Sequence, residues 1–202
     1  KDALKLVKPT AFEDLIALVA LYRPGPMQFI PEYARNKRKP GSVRYDDPRL
    51  EDILKPTYGV AIYQEQLMEI AKVMASFSPA EADDLRKAIG KKNRELLATL
   101  KHQFIEGCKE NKVTSRTTDK LWNLMEAAGD YSFNKSHAVS YAMISYQTAY
   151  MKANYPVEYM AATISSVMET KDKVPFYVDA CTRMGIEVLP PDVNESGAGF
   201  RV

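Results

Sequence analysis

Between Leu85 and Arg94 the sequence places Arg86, Lys87, Lys91, Lys92 and Arg94 within nine positions and puts no acidic residue among them. Cations at that density can grip an anion such as phosphate, Arg through a two-pronged hydrogen-bonding fork and Lys as a point charge. On a helix ending at Gly90, Ala82, Leu85 and Ile89 share a core face, Arg86 falls at its margin and Lys87 points roughly opposite. Packing then holds the arginine stem while its head reaches a cleft. A solvated helix end, its lysines complementing the helix dipole, accounts for the same residues without a ligand, and periodicity alone favours that reading.

A second set lies further on. His137, Tyr141, Ser145, Thr148 and Lys152 fall on a stripe about 80° wide at 100° per residue. Val139, Met143, Tyr146 and Tyr150, with Ala142, cover the other side and are expected to anchor in a core. The polar stripe offers a ring for a base and donors for phosphates; an exposed helix whose ring packs on a neighbour is the equal alternative. His137 donates one hydrogen bond when neutral and two when protonated.

A third set, Arg35, Lys37, Arg38, Lys39 and Arg44, surrounds Pro40 and Gly41 and is expected in a loop, either solvated or touching a nucleic-acid backbone. Glu65, after the turn at Tyr58 and Gly59, either pairs with one of these cations or serves the start of its helix. Asp46, Asp47, Asp83 and Asp84 read as cap and first-turn residues rather than metal ligands. Cys108 and Cys181 lie far apart with no CxxC partner and no histidine pair, which suggests neither a zinc site nor a disulfide framework.

The elements that must position these residues are helical almost throughout, since apolar residues recur at three and four positions and the breaks carry caps. Thr10 with Glu13 reads as a capping box for a helix through Leu21, which Arg23 to Met27 ends. Asp47 and Pro48 start another, 64–75 is amphipathic, and Ser78, Pro79 and Glu81 open a helix that Gly90 stops. Helices are expected over 94–109 and 117–128, then, after a loop over 130–135, over 136–154, from Pro156 to about Met168, and in a last stretch ending at Gly185. The expectation is a mainly α helical domain over 1–185 with little β, and an exit segment over 186–202 whose residues 199–202 begin a strand.

With 202 residues, 46% hydrophobic and 27% charged, the chain suits one good core or two small ones. Its net charge of +2 is too small to argue for nucleic acid by itself, so local clusters decide. No apolar run reaches the roughly 20 residues of a bilayer span and residues 1–6 lack the apolar core of a signal peptide; a cytoplasmic protein with no membrane partner is expected. The start at Lys1 and the stop at Val202 read as cuts from something larger.

Several ordered blocks together resemble one family, the alpha subunit of bacterial DNA polymerase III, a C-family replicative polymerase. They are FEDLIALVALYRPGP over 12–26, PTYGVAIYQEQ over 56–66, the stretch from Leu85 to Lys92, YSFNKSH over 131–137, and Tyr141, Ser145 to Gln147, Tyr155 and Pro156; LPPDVN over 189–194 is similar to the family's exit towards its helix-hairpin-helix domain. The resemblance implies the helical fingers of such an enzyme, closing on the nascent base pair and the incoming deoxynucleoside triphosphate. It assigns Arg86 and Lys87 to the triphosphate, with His137, Asn134 and Lys135 as the wall near the nucleotide, and leaves Lys91, Lys92, Arg94, Tyr141, Arg35, Lys37 and Arg38 as contacts to DNA or the nascent pair. The family often shows two arginines where this chain has Arg86 and Lys87, so the second contact is a point charge rather than a fork.

No counterpart of the palm's paired aspartates is found in the sequence. The resemblance therefore implies that Mg2+ is held by the palm of a parent enzyme, that this segment binds no cofactor and is inactive alone, and that its partners are primer-template DNA, the other polymerase domains and, through the parent chain, replisome subunits. A helical module that binds DNA or acidic proteins with no nucleotide role is the alternative.

Overall fold

The computed structural model describes residues 2–129 and 131–202, and every regular element among them is a helix. The mainly α expectation holds; the one β-type pairing among the described residues is an isolated parallel bridge between Tyr63 and Phe133. The expected start at Lys1 and the opening of the loop at Asp130 lie outside the described residues. The chain divides into two compact units, Lys1–Ala142 and Met143–Val202.

In the first unit, α1 (Asp2–Val7), α2 (Phe12–Leu21) and α3 (Ile30–Arg38) pack around Ile16, Leu21, Ile30 and Tyr33. The carboxylate that closes the start of α2 is Asp14 rather than Glu13: it accepts the N–H groups of Thr10 (2.9 Å) and Ala11 (3.1 Å). Asp14 is buried, where it also accepts the Tyr33 hydroxyl (3.0 Å) and pairs with Lys37 Nζ (2.8 Å). Burial pushes this carboxyl up, yet its donors, Lys37 foremost, outweigh burial and hold it below the usual carboxylate range. The Lys37 ammonium donates as well to the carbonyls of Val7 and Lys8, joining the end of α1 to α3. Arg35, Lys37 and Arg38 are thus on a helix and not in the expected loop. Pro31 presets its first turn, and Ile30, Tyr33 and Ala34 give it a buried face.

Short 3-10 turns and α4 (Glu51–Leu54) lead to Tyr58, in the left-handed region, and to the extended, buried residues 60–63. The buried Gln66 amide orders this approach to α5 (Gln64–Ala75): its oxygen accepts the N–H groups of Ile62 and Tyr63, and its nitrogen donates to Thr57 Oγ1 and the Ile53 carbonyl. A larger core then joins α5 to α6 (Pro79–Lys91), α7 (Arg94–Glu110) and α8 (Ser115–Ala128), centred on Met74, Leu85, Phe104, Trp122 and Met125. At Gly107 the helices approach so closely that a Cβ would lie 2.1 Å from the Ala75 carbonyl oxygen.

The α6 start carries the expected box, Ser78 and Glu81 bonding reciprocally. Its end differs, because Gly90 stays helical and the reversal is made by Lys92 at φ 53°. Asn93 caps α7 immediately after, accepting the Leu96 N–H, and this fixes where the chain must turn.

Helix α9 (Lys135–Asn154) buries only Ala138 and Ala142, with Val139 partly covered. The expected anchors Met143, Tyr146 and Tyr150 are exposed, at 44%, 50% and 49%. Large apolar side chains are spread around this helix, so no single face is selected for burial, and alanines one turn apart are what the α1–α3 core admits.

In the second unit, α10 (Pro156–Ser165) and α11 (Lys173–Arg183) bury Met160, Ile164 and Cys181, with Ile186, Val188 and Phe200 packed on them. Helix α10 stops at Ser165, short of Met168, and no strand forms over 199–202. The Ser165 hydroxyl takes the backbone instead, accepting the Phe200 N–H (2.8 Å) and donating to its carbonyl (3.2 Å). Cys108 and Cys181 are buried and unpaired, and burial pushes both thiols up. Among the described residues no helix is long and apolar enough to cross a membrane.

Candidate functional site

Residues 131–137, which lead into α9 and form its first turn, are fastened at several points. Phe133 donates its N–H to the Ile62 carbonyl and accepts the Gln64 N–H, each at 3.0 Å, which forms the lone bridge. From the end of α2, Arg23 reaches across with Nη2 on the Tyr131 carbonyl (2.6 Å) and its guanidinium carbon 4.4 Å from the centre of the Phe133 ring. Its Nε stays on the Ala20 carbonyl (2.9 Å), so the guanidinium is held on both sides, and burial lowers its pKa.

In the first turn of α5, Glu65 accepts the Lys135 N–H with both carboxylate oxygens, at 3.1 and 3.0 Å, and the Asn134 side-chain amide at 3.0 Å. Asn134 is the N-cap of α9, its oxygen accepting the His137 N–H (2.8 Å) and the Ser136 hydroxyl (2.6 Å). The helix start is therefore closed twice, by a neutral cap and by a carboxylate that complements the dipole.

From this start a row of rings leads outward, Phe133 to His137 at 5.4 Å between centroids and His137 to Tyr141 at 4.6 Å. The Lys135 ammonium lies 5.6 Å from the centre of the Tyr63 ring. His137 and Tyr141 are exposed.

On α6, Ala82, Leu85, Ala88 and Ile89 are buried and Arg86 is half-buried at the margin of that face. Its Nε and Nη2 both meet Asp83 Oδ1, at 2.8 and 2.7 Å, while Lys87 Nζ takes Asp83 Oδ2 at 2.8 Å. Lys87 and then Arg86 hold the Asp83 carboxyl below the usual carboxylate range, and Asp83 in turn raises Lys87. Asp83 and Asp84 are thus not first-turn caps, a task Glu81 performs; Asp83 is the counter-ion of the two predicted anion contacts.

Arg86 lines a small crevice with Gln64, Leu67, Ile89, Gly90, Gly129 and Ser132. Gly129 makes it possible, since a Cβ there would sit 2.1 Å from Ile89 Cγ2. The structure thus brings Arg86 to the base of the turn that carries Asn134, Lys135 and His137, with no direct contact between Arg86 and those three. Lys91, Lys92 and Arg94 are exposed around the turn from α6 to α7.

The remaining predicted contacts stand apart. Arg35 and Arg38 are exposed on α3, Arg38 donating to the Leu6 carbonyl, and Lys37 is engaged by Asp14. A larger cavity, about 620 Å³, is lined by Pro40, Arg44, Tyr45, Glu51, Lys55 and Tyr58 among others and holds none of the predicted nucleotide contacts. Among the described residues no group of three or more His, Cys, Asp or Glu is placed to hold a metal ion.

Sequence reasoning missed Arg23 altogether and left the role of Glu65 open. Asn134 was legible as a cap from its spacing to His137, had the helix start been set at Lys135 rather than one residue later. Chemically, two of these cationic features already carry a carboxylate: Asp83 holds Arg86 and Lys87, and Glu65 holds the α9 start.

The family model for the bacterial DNA polymerase III alpha subunit finger domain matches residues 1–112. Over all 202 residues the chain is 46% identical to the DNA polymerase III subunit alpha of Borreliella burgdorferi. The proteins of the same name from Mycobacterium tuberculosis and Thermus aquaticus are each 48% identical, over 99% and 97% of this chain. The chain spans only 18%, 17% and 16% of those three relatives, and the aligned stretch in each includes α6 as well as the turn before α9.

Proposed function

Because the chain belongs to the finger-domain family of bacterial DNA polymerase III alpha subunits, we propose that it binds the incoming deoxynucleoside triphosphate and the nascent base pair during template-directed DNA synthesis. The observation that carries this reading is that Arg86 lines one small crevice with Ser132, which belongs to the turn that leads to Lys135 and His137. A triphosphate lying on the α6 surface beside this crevice, which is itself too small to admit one, exchanges with the Asp83 carboxylate for Arg86 as a fork and Lys87 as a point charge. The rings of His137 and Tyr141 lie on the adjoining surface, where a base can stack. Asn134, with both ends of its amide engaged, serves by shaping this wall.

On this reading the segment orients a substrate and neutralises charge, while phosphoryl transfer depends on metal-bearing carboxylates of a palm in the parent polypeptide. The segment alone is then inactive, Mg2+ belongs to the palm, and primer-template DNA, the palm and the replisome subunits are its partners through the parent chain. Closing the fingers would complete the site, so an incorrect pair reacts slowly because its phosphorus is misplaced.

The test is Arg86→Ala in a full-length polymerase carrying this sequence as its fingers. Loss of a charged hydrogen-bonding contact should weaken apparent nucleotide affinity by about tenfold or more, with primer-template affinity little changed. Unchanged nucleotide affinity would remove Arg86 from the site.

A further inference from the structure

We infer that Glu65 is the positioning residue of the nucleotide-facing turn: its carboxylate sets the register at which α9 begins, and so where His137 and the Lys135 ammonium stand. This rests on the nucleotide reading of the same site but assigns a function to a residue that never touches the substrate. Its chemistry is that of a fixed internal anion. The first N–H groups of a helix attract negative charge, and an open helix start beside a triphosphate site would compete with Arg86 and Lys87 for the phosphates.

Glu65 removes that competition by occupying the α9 start, with both oxygens on the Lys135 N–H and one also on the Asn134 amide. Holding the Asn134 amide nitrogen orients its oxygen towards the His137 N–H, which it caps at 2.8 Å. The carboxylate therefore acts on His137 through one intervening side chain. Glu65 can do this because its own backbone is pinned from the other side: Gln66 secures Ile62 and Tyr63, and the adjacent Gln64 N–H bonds to the Phe133 carbonyl.

Arg23 is the second pin. It grips the Tyr131 carbonyl and the Phe133 ring while its Nε stays on the Ala20 carbonyl, so it ties this turn to the end of α2. Between the pinned backbone groups of Tyr131 and Lys135 lie three residues, Ser132, Phe133 and Asn134, through which the chain enters α9.

The experiment compares Glu65→Ala, Glu65→Gln and Arg86→Ala in a full-length polymerase carrying this sequence. Three quantities are read: affinity for the correct nucleotide, affinity for primer-template, and deuterium exchange of the peptide containing Lys135 to His137. Glutamine keeps one acceptor oxygen for the Lys135 N–H, so it should restore part of what alanine loses.

The expected pattern for Glu65→Ala is faster exchange at 135–137 and nucleotide affinity weakened by about tenfold, with an intermediate effect for glutamine and unchanged primer-template affinity. Faster exchange with nucleotide affinity intact overturns the inference, since the cap would then be structural only. So does an equal loss of nucleotide and primer-template affinity, which marks general loosening of the domain. If Glu65→Ala does not fold, the same criteria apply to Glu65→Gln. Arg86→Ala separates the two levels: when it weakens nucleotide binding and the Glu65 variants do not, only the positioning role falls; when neither does, the nucleotide reading falls with it.

Discussion

Asp83 stands three and four residues before Arg86 and Lys87, the spacing at which helical side chains meet. Its contacts are partly exposed ion pairs, so they are cheap to exchange, as the proposed turning of both cations to a substrate requires. Asp83→Asn should leave both cations without their resting partner and tighten apparent nucleotide affinity of the full-length enzyme by about threefold, the scale of an exposed pair. Equilibrium nucleotide titration against the unaltered enzyme checks this, and weaker binding would mean that Asp83 aims Arg86 rather than merely holding it. At this scale the margin position of Arg86 was readable, because Ala82, Leu85 and Ile89 mark the buried face by period. Arg23 was not, since its contact on Tyr131 spans 108 residues and no local pattern encodes it.

Among the elements, α7 meets α5 backbone to backbone at Gly107. A glycine inside a helix is ordinarily improved by alanine, by roughly 0.5–1 kcal/mol. Here the sign reverses, because the added Cβ would lie 2.1 Å from the Ala75 carbonyl oxygen, an atom of the backbone that cannot rotate aside. Gly107→Ala should lower stability by about 1–3 kcal/mol, the range for overpacking, as read from urea denaturation of the chain. Increased stability would show that the two helices separate without loss. The existence of α5 to α8 was legible from periodicity and caps. The inward face of α9 was not, because its apolar residues surround the helix and its burial is decided by which side chains are small.

For the whole molecule, the buried Asp14 makes acid tolerance a property of the α1–α3 packing. Its folded pKa lies below the ordinary 3.8, so its stabilisation is complete above that value and drains away as pH falls from there through the lower folded value. Asp14→Asn should therefore destabilise the chain at neutral pH and flatten the fall in stability below about pH 4. Denaturant midpoints across pH 2–7 check both statements, and an unaltered acid slope would exclude Asp14 as its source. The mainly helical class was legible at this scale, and so was the family, from long ordered blocks. The strand expected over 199–202 does not form: among the described residues there is no strand for it to pair with, and Ser165 takes the Phe200 backbone instead.

The pairing of Glu65 with Lys135 bears on how the molecule comes to fold. It ties together chain positions 70 residues apart, and closing a loop of that length costs about 4 kcal/mol in chain entropy by the (3/2)RT ln n term. The helices α5 to α8 lie within that loop and can assemble from neighbours, whereas the turn before α9 earns its contacts only after they have done so. On a ribosome, the segment ending in Arg23 emerges more than a hundred residues before Tyr131, the carbonyl it will hold. The turn before α9 is thus the last part of the first unit to become ordered, and nascent chains halted before Phe133 should carry a finished α5 to α8 body in which the Glu65 carboxylate has no helix start to hold.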